Sequence, residues 1–383
     1  MKADAEKAPT RHRPWSEWDG WPRVLARWGV TPTVAALWGM HEGIVALAPS
    51  VPVAMGPNQQ FFDVPWYHFD VGWYYWIARA GYLPAHAQMA AYFPGVPAYL
   101  WLTHSVVISL AGLQLLLLAL VVQVGRLASS WGLSAKRAVM AQALVIFSPA
   151  LIFYSTAYPE TWVAMGFCGA LLAMHGRKPW LAALWSVVAG LADPLGLLLG
   201  VGAAAWVLGG AFRHSWSDFR AGTAWGLGSV AALAAVMVVL AVNLGQPLEF
   251  IGAQQAWSAR WVWPGAQAVQ ALTAARVVPA ALAALAMLPV VTLGSWEVLK
   301  RVRESLWHLA MAGLAVTLLL VPLAFYSNRT PLSSTALFLS LDVPAAVGIA
   351  SLASRRLGWV SLVWYGGWGA AGAVLFTHGW FWG

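Results

Sequence analysis

The chain has 383 residues, 60% of them hydrophobic and only 9% charged, with a formal net charge of +8. A soluble domain carries roughly 25% charged residues, so the composition excludes an ordinary soluble enzyme and points to an all-α polytopic membrane protein. The single cysteine, Cys168, excludes a disulfide framework and a cysteine-based metal site.

The first segment, 1–29, opens MKADAEKAPTRHRPWSEWDGW and has no apolar signal-peptide core, so it reads as a cytoplasmic tail with Trp15, Trp18 and Trp21 at headgroup level. From 30 to 383 a single transmembrane domain is predicted. A span needs about 20 mainly apolar residues. About eleven transmembrane helices are expected, at 30–48, 104–125, 137–156, 159–175, 179–192, 195–212, 222–243, 267–295, 306–325, 333–352 and 357–378. The fifth is short and could form a re-entrant pair with the sixth, broken at Asp193-Pro194. The eighth is long enough to be two segments or one tilted helix. With the N-terminus inside, 18 of the 22 basic residues fall on the cytoplasmic side. That follows the positive-inside rule, and an odd span count puts the C-terminus outside. The basic excess therefore reads as topology, and nucleic acid is not expected as a partner. Two outer segments are substantial, 49–101 and 245–265. Irregular backbone cannot face lipid, so such loops are where a site would be built.

The stretch YHFDVGWYYWIARAGY, Tyr67–Tyr82, places Asp70 beside an aromatic-rich segment. Trp73, Trp76, Ile77 and Ala80 follow helical spacing, which predicts a short interfacial helix with that face toward lipid and Tyr75, Arg79 and Tyr82 opposite. Asp70 could accept a proton from a hydroxyl or simply cap this helix. Asp63 in the same loop could be a second base, could orient an acceptor, or could be a turn residue before Pro65. Arg79, Arg260 and Arg329 are the outer cations able to stabilise a phosphate, with His68, His86 and His104 as helpers; interfacial arginines also snorkel to headgroups. Glu42, Glu160, Asp193 and Asp342 lie in or at the ends of apolar spans, where carboxylates mark functional hypotheses. Glu160 and Asp193 also sit where a helix cap would. Asp342 is expected to face the bundle interior and to pair with an arginine. No HExxH, phosphate-cradling glycine loop or DxD pair is present. No metal or other cofactor is expected, and a nucleotide-sugar donor is disfavoured.

The order of motifs resembles the class V phosphatidylinositol-glycan mannosyltransferases and their bacterial relatives, within the C-type glycosyltransferase superfamily. The matching runs are FDVGWYYWIARAGY (69–82), AAYFPGVPAYLW (90–101), SPALIFYSTAYPETWVA (148–164), AGLADPLGLLLG (189–200) and GQPLEFIGAQQAWSARW (245–261). Asp193 stands where the family often has a basic residue, and Arg329 is the remnant of a late aromatic-Arg-Tyr run. The resemblance implies a C-type glycosyltransferase fold whose first outer loop, 49–101, is catalytic through Asp70, with 245–265 binding substrate. It implies an inverting transfer of a sugar, mannose in the family, from a polyprenyl-phosphate donor to a lipid or glycan acceptor. Arg79, Arg260 and Arg329 would bind the donor phosphate. Asp63, His68, Tyr67, Trp73, Tyr92, Glu160 and Trp257 would bind substrate, the aromatics by stacking on sugar. Short loops and the lack of sorting signals favour a bacterial plasma membrane. The alternatives are a lipid-linked sugar transporter or flippase and a non-catalytic subunit that keeps the fold.

Overall fold

The computed structural model describes residues 29–56, 65–257, 260–273, 279–326, 332, 334–352 and 355–380. The protein is almost entirely helical. Among the described residues six helical segments are long and apolar enough to cross a membrane: Val106–Ser130, Pro194–Phe212, Trp216–Leu244, Pro279–Lys300, Leu306–Ala324 and Trp359–Thr377. It is an all-α, multi-pass membrane protein.

In chain order the helices are α1 (Pro32–Leu47), α2 (Val71–Ala80), α3 (Gly95–Thr103), α4 (Val106–Ser130), α5 (Ala135–Ile146), α6 (Leu151–Ser155), α7 (Glu160–His175), α8 (Pro179–Ala192), α9 (Leu199–Phe212), α10 (Trp216–Leu244), α11 (Glu249–Ala253), α12 (Ala266–Thr273), α13 (Pro279–Lys300), α14 (Leu306–Ala324), α15 (Thr335–Ser340), α16 (Val343–Leu352) and α17 (Arg355–Thr377). Hydroxyl side chains begin several of them, as at Thr31, Ser105, Ser215 and Ser305, each accepting from a backbone N–H three residues on. A two-residue antiparallel pair, β1 (Arg260–Trp261) with β2 (Phe325–Tyr326), ties the second outer loop to the end of α14.

Five of the expected spans are shorter or interrupted. α1 and α7 have 16 residues and α8 has 14. At 1.5 Å per residue these reach about 21–24 Å, against a hydrocarbon thickness of about 30 Å. The third expected span breaks between α5 and α6 at Phe147–Ala150, where Pro149 cannot continue a helix. The tenth breaks between α15 and α16. There the Asp342 carboxylate accepts from the Ala345 N–H at 2.9 Å and from Ser295 Oγ at 3.4 Å. Asp342 is buried as expected, but it caps a helix and makes no ion pair among the described residues. Within the eighth span, α12 and α13 flank residues 274–278, which lie outside the described residues.

At the centre stands α7, with 13 of its 16 residues buried, packed against α4, α8 and α14. Without a hydrophobic drive between helices in lipid, close approach rests on small residues. A Cβ on Gly348 would lie 2.2 Å from the Gly294 carbonyl oxygen, so α13 and α16 touch backbone to backbone. The chain ends also define sides. Gly29 lies against Val122 and Arg126 on α4. The far end of α17 meets the first loop, with Gly56 N–H donating to His378 O at 2.6 Å and Trp380 Nε1 to Ala54 O at 2.7 Å. The two described ends of the chain therefore lie at opposite ends of the bundle.

The basic residues gather on the Gly29 side. Arg301 donates to Trp131 O at 3.1 Å and lies 4.7 Å over that ring. Arg177 pairs with Asp218. The opposite side carries the two outer loops, which pack together: α11 lies on the 3-10 segment Pro84–Ala91, and Phe250 meets Phe93 edge-on at 5.7 Å.

Candidate functional site

Asp70 immediately precedes α2. The residue before it, Phe69, has φ +55°, a left-handed backbone uncommon for a bulky side chain. Such strain costs of order 1–3 kcal/mol and persists only where the surroundings impose it. Here they do. Phe69 packs on Phe376 at 5.4 Å, and the Asp70 N–H donates to Tyr158 Oη at 3.2 Å. Asp70 makes no capping hydrogen bond, which removes the purely structural role that its position suggests. Instead its Oδ1 accepts from the Tyr92 hydroxyl at 2.8 Å. Among the described residues its second oxygen, Oδ2, receives no hydrogen bond.

Two more carboxylates converge here from distant parts of the chain. Glu160 begins α7 and Asp193 ends α8, and both lie within electrostatic reach of Asp70. Asp193 Oδ1 accepts from the Leu195 N–H at 2.8 Å, which is the cap expected of it. Glu160 makes no cap; only 4% of it is exposed, and its Oε2 is buried with no hydrogen-bond partner among the described residues. Gly95 helps bring them together. A Cβ there would lie 2.7 Å from Leu191 O, so α3 and the Tyr92 segment just before it press onto the end of α8.

Burial is the dominant electrostatic fact. It raises the Asp70 carboxyl from the usual range near 4 to about 6, against the opposing hydrogen bond from Tyr92. Burial, opposed by the Leu195 N–H and reinforced by the Asp70 charge, raises Asp193 to about 7. Burial first and the Asp70 charge second push the Tyr92 phenol well above its ordinary range, so it acts as a donor. Among the described residues no Lys, Arg or His forms an ion pair with any of the three carboxylates. Nor is any group of three or more His, Cys, Asp or Glu arranged to hold a metal ion.

The aromatic residues form a row leading to Asp70. Trp76, 43% exposed, stacks on Trp73 at 5.8 Å, and Trp73 stacks on Tyr92 at 6.1 Å. His86 closes the outer end against Trp76 at 5.0 Å. Tyr74 and Tyr158 line the inner end.

The other expected site residues are scattered. Tyr67 is fully buried, its hydroxyl 3.1 Å from that of Tyr75, which is 3.1 Å from Ser109 Oγ. His68 is fully buried, with Phe376 edge-on at 5.8 Å. Both belong to the core and neither offers a ring to sugar. The face of α2 is also rotated from expectation. Ile77 and Tyr75 point inward, as does Tyr82, while Arg79 shares the exposed side with Trp76 and Ala80. α2 packs against α3 with Val71, Tyr74, Tyr75 and Ile77 buried. Arg79 lies nine residues beyond Asp70, about 13 Å along the helix and on its opposite face. Arg260 is exposed in β1. Asp63 and Arg329 lie outside the described residues, and of Trp257 only the backbone, in a 3-10 turn, is described.

Sequence reasoning did not foresee Tyr74 and Tyr158 as walls of the site, nor the meeting of Asp193 with Asp70. The available signal was Tyr158 directly before Pro159-Glu160, in an outer turn. Glu42 does not face this site. Its Oε1 accepts from Ser155 Oγ at 2.9 Å and lies 2.9 Å from His41 Nδ1, inside the bundle. Compared with protein-family models, curated proteins and solved structures, the chain matches none.

Proposed function

We propose that the chain is an inverting glycosyltransferase that moves a sugar, mannose, from a polyprenyl-phosphate donor to a lipid or glycan acceptor at the outer membrane face. The observation that carries the reading is Asp70: a half-buried carboxylate directly after the left-handed Phe69, anchored through one oxygen by Tyr92, its proton affinity raised into the range where a general base works best. The aromatic row from Trp76 to Tyr92 supports it, since stacked rings bind sugar faces.

In this reading Asp70 Oδ2 takes the proton of an acceptor hydroxyl. The acceptor oxygen bonds to the anomeric carbon on the face opposite the phosphate. The bond from that carbon to the phosphate oxygen breaks, its electrons leave on the lipid phosphate, and the anomeric centre inverts through an oxocarbenium-like state. Arg79 and Arg260, outside the carboxylate cluster, meet the departing phosphate with Arg329. The sequence spans are then eleven, the N-terminus is cytoplasmic, the membrane is a bacterial plasma membrane and the fold is of the C-type glycosyltransferase kind. The direct test is transfer from radiolabelled polyprenyl-phosphate mannose to a membrane-lipid pool, wild type beside Asp70→Asn. Loss of about 10²–10⁴-fold in rate with folding intact is expected for removal of a general base; undiminished transfer by the variant removes the mechanism.

A lipid-linked sugar transporter is the second reading, and the interrupted spans favour it. Breaks at Phe147–Ala150, Asp193-Pro194 and Leu341-Asp342 are the kind that line transporter sites. Movement of intact donor across liposomes, without bond cleavage, would select it.

A further inference from the structure

Away from the outer loops, α1 carries two adjacent ionisable residues that the transfer chemistry does not use, His41 and Glu42. Ionisable groups inside a membrane are rare and mark a functional site by default. Their surroundings fix where the hydrogens are. His41 is fully buried, and its Nε2 lies 3.0 Å from Leu151 O. A backbone carbonyl only accepts, so Nε2 carries a hydrogen. The other ring nitrogen, Nδ1, lies 2.9 Å from Glu42 Oε1. A bare Nδ1 against an ionised carboxylate would set two lone pairs face to face at hydrogen-bonding distance. One further proton therefore sits between them, as imidazolium with carboxylate or as imidazole with carboxylic acid. Ser155 Oγ donates to the same Oε1 at 2.9 Å. The short helix α6, which follows the break at Phe147–Ala150, supplies both Leu151 O and Ser155 to this pair.

The two members differ in access. The Glu42 side chain is 25% exposed and the His41 side chain not at all. Glu42 lies five residues before Leu47, about 7–8 Å along α1 from its outer end. Trp66 of the first outer loop ties down that end, its Nε1 donating to Val45 O at 2.9 Å. Among the described residues no further ion pair reaches either side chain. Arg126 of α4 lies beside Gly29, at the other end of α1, and Lys136 and Arg137 are exposed at the start of α5. We propose that His41 and Glu42 form a proton-binding site in the outer half of the bundle, holding one proton between Nδ1 and Oε1 and exchanging it with water through the exposed edge of Glu42. On release the bond to that proton breaks, the proton passes to water, and the pair is left with one more negative charge; on uptake the reverse occurs. The pair is neutral while it holds the proton, which is the less costly state away from water. This site is separate from Asp70 and does not depend on the glycosyl-transfer reading.

The test is proton–nitrogen NMR of the purified full chain in lipid nanodiscs, with the histidine ring nitrogens labelled. The His41 ring is identified by its proximity to the Phe147 ring, 6.4 Å between centroids. Two hydrogens are expected on or against this one ring: an ordinary Nε2–H, and a strongly deshielded proton at Nδ1 shared with Glu42. In Glu42→Gln the shared proton should be lost and the Nε2–H retained. On transfer to heavy water the shared proton should be replaced at least tenfold faster than the Nε2–H, which is enclosed against Leu151 O. A wild-type ring with no proton at Nδ1 overturns the inference, as does a shared proton that survives in Glu42→Gln. Exchange at Nδ1 no faster than at Nε2 also overturns it, because the route through Glu42 is then absent. Should Glu42→Gln fail to fold, the exchange rates at the two nitrogens of the wild-type ring decide alone.

Discussion

Asp70 behaves differently in stability and in chemistry, and pH separates the two. Its carboxyl is raised to about 6 in the folded chain, so the folded state holds a proton that the unfolded state has released between about pH 4 and 6. Stability therefore falls as pH rises through that window. Asp193, raised to about 7, extends the same loss to higher pH. Asp70→Asn and Asp193→Asn should each raise the melting temperature by a few degrees at pH 8. The gain should vanish near pH 4, where the carboxyls are protonated in both states; thermal unfolding at the two pH values checks this. Activity should run the other way. A base must be ionised to work, so kcat/KM should climb with pH along a limb centred near 6. Tyr92 stabilises the ionised form through its hydrogen bond. Tyr92→Phe should shift that limb upward and slow transfer below pH 7, measured as a pH–rate profile. The candidate base was legible in the sequence because an isolated Asp beside Gly-Trp-Tyr-Tyr stands out. Its partners were not: Tyr92, Tyr158 and Asp193 are between 22 and 123 residues away, and only packing makes them neighbours.

At the scale of elements, the breaks and the close approaches matter more than helix length. α13 and α16 meet at Gly294 and Gly348, where an added Cβ would lie 2.2 Å from a backbone oxygen. Gly348→Leu should destabilise by at least about 1–3 kcal/mol through overpacking, seen as loss of monodisperse protein in size-exclusion chromatography. Gly39 on α1 has nothing near its missing Cβ, and Gly39→Ala should stay within about 0.5 kcal/mol of wild type. The sequence identified most helical stretches, because apolar runs of this length have few other fates in a membrane. It misassigned the rotation of α2. Trp73, Trp76, Ile77 and Ala80 satisfy helical spacing, but so do Val71, Tyr74 and Ile77, and an aromatic residue suits either lipid or core. Gln267 is a second instance. Its Nε2 donates to Pro322 O and Leu323 O, each at 3.2 Å, and its Oε1 accepts from Leu332 N–H at 3.1 Å. It fastens α12 to the end of α14, and no local pattern announces that.

At the scale of the whole molecule, the two faces are chemically distinct. One gathers arginines, histidines and tryptophans around Trp131, His175 and Trp307. The other gathers carboxylates, tyrosines and the paired outer loops. The cytoplasmic assignment of the basic face can be tested with thiol labelling, since the native Cys168 is fully buried and should not react. A cysteine in place of the exposed Ala85 should react with an impermeant maleimide in intact cells. One in place of the exposed Ser217 should react only after permeabilisation. The reverse pattern would invert the topology and place the carboxylate site on the cytoplasmic side.

The sequence by itself determined the membrane class, most of the helices and the segregation of basic residues to one side. These follow from hydropathy and charge, which are properties of short stretches and act against the bilayer one segment at a time. Only the tertiary structure decided which carboxylates share a site, which face of α2 turns inward, and that Tyr67 and His68 belong to the core. Those outcomes depend on where helices break and how closely they approach, and the contacts that fix them join residues far apart in the chain. The buried Glu160 oxygen shows the difference most plainly: in the sequence it is a helix-starting acid, and only the packed bundle leaves it without a donor among the described residues.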